Sequence, residues 1–444
     1  MYTKQIKNYV ENLSELRDFV ESVSSFLTKA TNDELEHSIG DLFPFVLALS
    51  KLNPELPPND KGVQLLNKLY GEDITLVVNK DSKGNTQIGF KCKGQAGKRS
   101  SDAFSRFHRT LNRNRKLYNT ALISLVSSAE WFVSQLIHEY YEKNRDASDI
   151  KDKMLSLGDL FQIGNIEDAR KFLIDKKAES ILRGDVLDWI GFFKKDLHLS
   201  MSYLELVEND LLEICKRRNV LVHNGGVVNS IYLNSLPKGY KSEFSLNEVI
   251  TISEQYLEQS ICCFELAFVL IGMELWKNQE PKSESRGNIL TELAFSHIKA
   301  GRYKVGEQFA FFILNDRKLN STFRSIAALN YWQALKWQNR FSEIEKQVQE
   351  ADFSDKELKF ELGRQVLLNN FDKALKLLPQ AIKNESISVE AILNWPIFKE
   401  FRLDNRVLKI IKKQPEAKPA ELNKLKSLPL KNTKVARKKI SNRV

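Results

Sequence analysis

The chain has 444 residues, 42% hydrophobic and 28% charged, which is enough apolar material for two or three domains with their own cores and excludes disorder as the main organisation. The formal charge of +10 would mark a nucleic-acid binder if it were spread over one surface. It is not spread: Lys412 to Val444 holds 11 Lys/Arg against two Asp/Glu, so this tail carries +9 and residues 1–411 only +1. Within that body Lys91 to Lys116 holds nine Lys/Arg against Asp102, a local +8, and everything else is net acidic. Two such concentrations are either local anion-binding surfaces or a solvated helix face and a solvated tail.

Residues 1–95 read as a helical N-terminal region with one β-hairpin. Ile6, Val10, Leu13, Leu16, Phe19 and Val20 recur at helical spacing, so residues 1–70 are predicted as short amphipathic helices broken at Pro54 to Pro58. Two β-rich runs flanking a Lys-Gly-Asn turn then predict a hairpin over 73–92. The start, MYTKQIKNYVENL, has no apolar h-region and predicts no signal peptide.

Residues 96–278 read as a helical bundle. From Ser101 to about Asn144 a long helix is implied by the stripe Tyr118, Leu122, Leu125, Val126, Ala129, Phe132, Val133, Leu136, Ile137 and Tyr140, with no Gly or Pro to interrupt it. Further helices are predicted at roughly 157–177, 183–196 and 200–223. A last one runs from about Leu246 to Lys277, with Ser245 and Glu248 at capping-box spacing. Its most apolar run, Ile261 to Trp276, is about 16 residues and contains Glu265 and Glu274. That falls short of the ~20 residues of a bilayer span and predicts a buried helix. Cys92, Cys215, Cys262 and Cys263 give neither a disulfide framework nor a CxxC metal spacing, which fits a reducing cytoplasm.

Beyond the polar linker at 279–288 the pattern changes to shorter helix pairs. Tyr303, Phe341 and Phe371 stand at successive turns, separated by 38 and 30 residues. With Gly306 and Ala374 three residues after the first and third, these turns resemble tetratricopeptide repeats, in which a small residue lets paired helices approach; Ile344 departs from the pattern. Residues 288–411 are thus predicted as repeats ending in a capping helix from Ala391, and 412–444 as a basic disordered tail.

Of six histidines, five lie in plain helical or linker contexts, and no HExxH, GxSxG, P-loop or Rossmann glycine pattern is present. The sixth lies in Cys215-Lys-Arg217-Arg218-Asn219-Val-Leu-Val-His223-Asn-Gly-Gly. Read back along the helix, Leu204, Val207, Leu211, Ile214, Arg218 and Leu221 form one seam, which puts Arg218 where aliphatics are buried and gives it a need for a partner. Glu130 is equally out of place on the stripe Leu122, Val126, Val133, Ile137. Either the two meet across the bundle, or both snorkel at its edge. Asn219 and His223 share a helix face, whereas Arg218 and His223 lie about 140° apart. The motif therefore straddles a helix end, or a second copy of the chain completes it.

Arg218-Asn219-x-x-x-His223, following a Glu130-bearing helix, resembles the signature of the HEPN superfamily of ribonucleases over roughly 110–277, and looks like the RiboL-PSP type. The resemblance implies an all-α fold, an HEPN-like bundle joined to the α-hairpin array, and a dimeric, metal-independent endoribonuclease of prokaryotic defence or toxin type. It needs no cofactor and no metal, because RNA carries its own nucleophile. His223 would transfer the proton, Arg218 stabilise the phosphorane, and Asn219 hold the imidazole or a phosphate oxygen. Glu130 and Arg217 would support them, Arg217 as a second phosphate contact. Lys98, Arg99, Arg106, Arg109, Arg113 and Arg115 would track RNA. The expected partners are RNA, a second copy through the bundle, and a protein or peptide on the repeats, with no membrane. The competing readings are a non-catalytic dimeric scaffold and an RNA-binding adaptor.

Overall fold

The long apolar stripes become long helices in the computed structural model, which describes residues 2–52, 74–80, 86–237, 239–240 and 242–413. Helix α1 spans Tyr2–Leu52, strands β1 and β2 span Ile74–Lys80 and Thr86–Cys92, and α2 spans Gly94–Lys143. Next come α3 (Ser148–Lys151), α4 (Leu157–Ile163), α5 (Ile166–Leu182), α6 (Val186–Gly191), α7 (Glu208–His223), α8 (Ser230–Ser235) and α9 (Glu254–Gln279). The remainder comprises α10 (Ser285–Lys299), α11 (Tyr303–Asn315), α12 (Ser321–Trp337), α13 (Glu345–Glu350), α14 (Leu358–Leu367), α15 (Phe371–Lys383), α16 (Val389–Asn394) and α17 (Asn405–Ile411). The architecture is mostly helical. The two strands pair antiparallel with Ile74 opposite Cys92 and Lys80 opposite Thr86. The turn predicted between them, the Pro54 to Pro58 break and the tail from 414 lie outside the described residues.

The chain divides into two compact units: residues 1–7, 132–209 and 262 onward in one, residues 8–131 and 210–261 in the other. Residues 96–278, expected as one bundle, contribute to both units. Helices α1, α2 and α9 each contribute residues to both units, which no local change of composition announces.

In the unit built from residues 8–131 and 210–261, α1 replaces the several short helices expected. Tyr9, Leu13 and Val20 are buried along one face. Farther along, α2 ties the polar part of α1 down: Arg106 Nε meets Glu34 at 2.9 Å and Ser100 Oγ donates to the Asp41 carbonyl at 2.5 Å. Leu122, Leu125, Val126 and Ala129 of the predicted stripe are all buried.

Several predicted helices shift for identifiable reasons. The 157–177 helix divides at Gly164, whose φ of 92° no helix accommodates. The 183–196 helix starts at the Asp185 capping box and ends in a π turn over Phe192–Asp196. The 200–223 helix is a 3₁₀ turn over Ser202–Leu206, then a break at Val207, then α7. The helix expected from Leu246 starts at Glu254, where Ser253 Oγ accepts from the Tyr256 N–H at 3.1 Å. Glu248 does accept from the Ser245 N–H, at 2.8 Å. The backbone there pairs elsewhere, however, with Val228 N–H donating to Glu248 O and Ile250 N–H to Gly226 O, both at 2.8 Å.

In the other unit, Phe132, Val133, Leu136, Ile137, Phe264, Phe268, Ile271 and Trp276 form a buried core. The helix pairs from α10 onward share one turn chemistry. Gly301, Asn339 and Asn369 each take positive φ, and the next N–H donates five residues back: Arg302 to His297 O, Arg340 to Leu335 O, Asn370 to Gln365 O, at 2.8–2.9 Å. This is the Schellman cap, and Tyr303, Phe341 and Phe371 each follow it by one residue. Gly306 marks a close approach, since a Cβ there would lie 2.5 Å from Ile298 Cγ1 and 3.0 Å from the Ala294 carbonyl. The bulkier Ile344 follows a short 3₁₀ turn, and α13 runs for only six residues. The expected capping helix is α16, two 3₁₀ turns and α17, interrupted at Pro396.

Arg286, fully buried, closes the linker onto this array: Nε meets Asp316 at 2.7 Å, and the other nitrogens donate to the carbonyls of Glu280, Pro281 and Ser283. Among the described residues two helices, α9 and the part of α2 from Gly97, are long and apolar enough to cross a membrane, although the apolar window of α9 is 89% buried within the protein. Asp316→Ala leaves the Arg286 charge buried without its carboxylate, and we expect a loss of about 3–5 kcal/mol, read as a lowered urea midpoint. An unchanged midpoint would show that the pair does not hold the linker.

Candidate functional site

Helix α7 is amphipathic in an unusual sense, because its buried face carries charge. Leu211, Ile214, Cys215 and Val220 are buried as expected of a core helix, but so are Glu213 and Arg217, at 1% and 2% exposure. The two are one turn apart, and Arg217 Nε donates to Glu213 Oε1 at 2.6 Å. Tyr232 donates to the same oxygen at 2.8 Å, and Tyr256 to Oε2 at 2.5 Å. The Arg217 guanidinium lies 3.8 Å from the Tyr256 ring centroid and 5.0 Å from that of Phe244. A buried ion pair is tolerable only when its remaining polar groups are satisfied, and here both carboxylate oxygens accept hydrogen bonds and the cation lies against two aromatic rings.

This arrangement corrects the sequence reading of Arg217 and Arg218. The seam drawn through Leu204 and Val207 assumed a continuous helix, whereas α7 starts only at Glu208. The more deeply buried arginine is Arg217, whose guanidinium is engaged by Glu213 beside a cleft lined also by Glu243, Phe244 and Tyr256. Burial works against its charge, but Tyr256 and Glu213 more than offset that and hold its pKa above the ordinary guanidinium value.

Arg218 is 18% exposed and its Nη2 donates to Glu130 Oε1 of α2, 88 residues away in sequence. The meeting of these two misplaced charges is the part of the site that their positions on apolar stripes foretold. The Arg218 Nε is buried without a partner.

His223 is the last residue of α7 and is exposed, as is Asn219 one turn earlier. The helix stops there because Gly225 and Gly226 take φ of 60° and 83°, and Gly226 N–H donates to Val220 O at 3.1 Å. Asn224 Nδ2 donates to Val227 O at 2.8 Å, and a bridge between Val227 and Val249 fixes the turn. His223 and Asn219 open into a cleft of about 260 Å³, lined also by Lys216, Asn224, Asn229 and Tyr232. Arg218 does not line this cleft. The helix geometry thus separates the arginine from the histidine, as the spacing of five requires.

The basic run of α2 is largely solvent-facing, with Lys98, Arg99, Arg106, Arg109 and Arg113 exposed and Arg115 half-buried. Two members are already engaged, Arg106 with Glu34 at 2.9 Å and Arg99 near Asp41 at 3.9 Å. Among the described residues, no cluster of His, Cys, Asp and Glu has the makings of a metal site.

One charged trio was missed because its members come from three elements. His297, buried at the end of α10, meets Glu265 of α9 at 3.0 Å, and Arg302 Nε donates to His297 Nδ1 at 2.9 Å. Since Arg only donates, the imidazole proton sits on Nε2 and points at the carboxylate. The trio joins α9 to the first helix pair.

No protein-family model, curated protein or solved structure matches this chain.

Burial, and then the Glu213 charge, raise the Tyr256 pKa well above the ordinary phenol value. The unfolded chain releases that proton near pH 10 while the folded one keeps it. The contribution is therefore complete below about pH 10 and is lost as pH rises further. We expect Tyr256→Phe to be less stable than wild type at pH 8 and to lose Tm less steeply above pH 10. Equal alkaline slopes would remove Tyr256 from this role.

Proposed function

We propose that this protein is a metal-independent endoribonuclease of the HEPN type, built around Arg218, Asn219 and His223. The observation that carries the reading is the Glu130–Arg218 ion pair, which ties the motif helix to the preceding long helix while His223 stays exposed at the helix end. A part-exposed pair of this kind adds little stability. Its main effect is to orient a guanidinium.

The chemistry asks little of the protein. The RNA 2′-oxygen attacks the adjacent phosphorus, the P–O5′ bond breaks, and the products are a 2′,3′-cyclic phosphate and a 5′-hydroxyl. His223 takes the 2′-OH proton, and a second imidazole or water returns one to the departing 5′-oxygen. Arg218 stabilises the charge on the phosphorane oxygens. Because Arg218 and His223 diverge on one helix, two copies related by a two-fold would supply arginine and histidine to one phosphate. The repeated Schellman turns support a tetratricopeptide-like module that binds a protein partner or governs access. Exposed Lys98, Arg109 and Arg113 favour a second reading, an RNA-binding adaptor without catalysis.

Incubation with labelled tRNA and mRNA in EDTA separates these readings. We expect cleavage leaving cyclic phosphate ends, reduced at least 100-fold by His223→Ala and by Arg218→Ala. Glu130→Gln should lower it less, with a KM nearer wild type than kcat. RNA binding without cleavage would favour the adaptor, and equal cleavage by wild type and both variants would sink the enzyme.

A further inference from the structure

The unit built from residues 8–131 and 210–261 holds a second cleft, of about 370 Å³, with Arg217 in its wall. That volume lies within the ~300–1,000 Å³ of small-molecule sites. Arg217 is 2% exposed, and Glu213 fixes its guanidinium through Nε. The Nη2 nitrogen is held far less firmly. Its partner, Glu243 Oε2, lies 3.5 Å away, at the limit of a hydrogen bond, on a side chain 69% exposed. Glu243 is itself part of the cleft wall.

Much of the remaining lining can donate hydrogen bonds. Thr251 and Ser253 precede α9, and Gln255 and Gln259 stand one turn apart at its start; all four are exposed. Ser253 Oγ accepts from the Tyr256 N–H, so its own O–H remains to donate. Each glutamine carries both a donor and an acceptor. The cleft also sits over the N-terminal end of a 26-residue helix, where the backbone dipole favours negative charge. The feature that points to a ligand is the arginine itself: a buried guanidinium with one loosely held nitrogen, on which a mobile-sided carboxylate of the chain already rests.

Charge decides which anion fits. Glu213 and Arg217 cancel, and Glu243 adds one negative charge at the wall. A monocarboxylate that displaces Glu243 exchanges one carboxylate for another on the same fork, while Glu243 turns to water at little cost. A phosphate dianion would bring a further negative charge close to buried Glu213, where repulsion is poorly screened. We propose that this cleft binds a small polar monocarboxylate, such as a hydroxy acid, with its carboxylate on Arg217 Nη2 in place of Glu243 and its hydroxyl or amide groups on Gln255 and Gln259. The inference goes beyond the ribonuclease reading and does not rest on it.

The probe is sodium D-gluconate, whose proton resonances are followed by line broadening as full-length protein is added. Arg217 is left in place, because its pair with Glu213 holds α7. Glu243→Gln removes the competing carboxylate and should tighten gluconate binding at least threefold. Gln259→Glu puts a like charge in the cleft and should weaken it at least tenfold. Glu345→Gln, at an exposed acid of the other unit, should change nothing, and circular dichroism should show all three variants folded. Uncharged glucose should not bind, and inorganic phosphate should bind at least tenfold more weakly than gluconate. Acetyl-glycylglycine, standing in for the end of a peptide, should also bind more weakly. Absence of gluconate binding by Glu243→Gln, or binding that neither Glu243→Gln nor Gln259→Glu alters, overturns the proposal. Binding of glucose or phosphate equal to that of gluconate overturns it too, since the carboxylate would not be what is recognised. Tighter binding of acetyl-glycylglycine would replace the small acid with a peptide terminus. RNA cleavage bears on none of these outcomes.

Discussion

The Glu213–Arg217 pair sets the rotation of α7, and the directions of the other side chains on that helix follow from the rotation. An ion pair one turn apart, at 1% and 2% exposure, fixes which sector of the helix faces inward. The residues about 100° to one side include Arg218, which then meets Glu130. To the other side, about 60–120° from Glu213, lie Lys216, Asn219 and His223, which then face the cleft. A helix with Leu at 213 and 217 could rotate by some tens of degrees at little cost, since apolar packing is non-directional. A carboxylate receiving two phenols and a guanidinium has far less freedom. The partners of the pair also come from separate elements, Tyr232 from α8 and Tyr256 from α9. The network therefore locates the loop that forms the other wall of the cleft.

This use of buried charge is costly in isolation. Desolvation of two ions is repaid only when geometry and hydrogen bonds are complete, and a hydrophobic replacement is often equally stable. What the ionic version adds is direction. The same logic operates in the other unit, where Arg286 and Asp316 close a linker and Glu265, His297 and Arg302 join a long helix to the first helix pair. Apolar contacts supply the bulk of each core, and a few buried ionic groups specify how the elements enter it.

The parts of this arrangement that were legible in the sequence are those encoded by local period. The stripe from Leu122 to Ile137, free of Gly and Pro and broken in polarity by Glu130, became the buried face of α2. Tyr303, Phe341 and Phe371 mark turns because an αL residue precedes each arginine or asparagine before them. Glu130 and Arg218 were conspicuous as charges on apolar stripes, and they meet. The failures arise where a non-local bond overrides a local pattern. Ser245 and Glu248 have capping-box spacing, yet the backbone beside them pairs with residues 226–228. Leu204 and Val207 fit the α7 period, yet a 3₁₀ turn and a break separate them from it. That break shortens the seam to Leu211, Ile214, Arg218 and Leu221, and the fully buried arginine is the neighbouring Arg217.

The two arginines illustrate how adjacent identical residues acquire different work from their surroundings. Arg217 is held by Glu213, lies over the Tyr256 and Phe244 rings, and reaches Glu243 at 3.5 Å. Arg218, about 100° farther round the helix, has one carboxylate partner and a buried Nε with no partner. A guanidinium carries five donors in a rigid fork, so a single carboxylate leaves most of them unused. Glu130 therefore aims Arg218 without saturating it, which is the condition under which a cation remains available to a second anion. The buried arginine holds the helix, and its neighbour is oriented by Glu130 with donors left over.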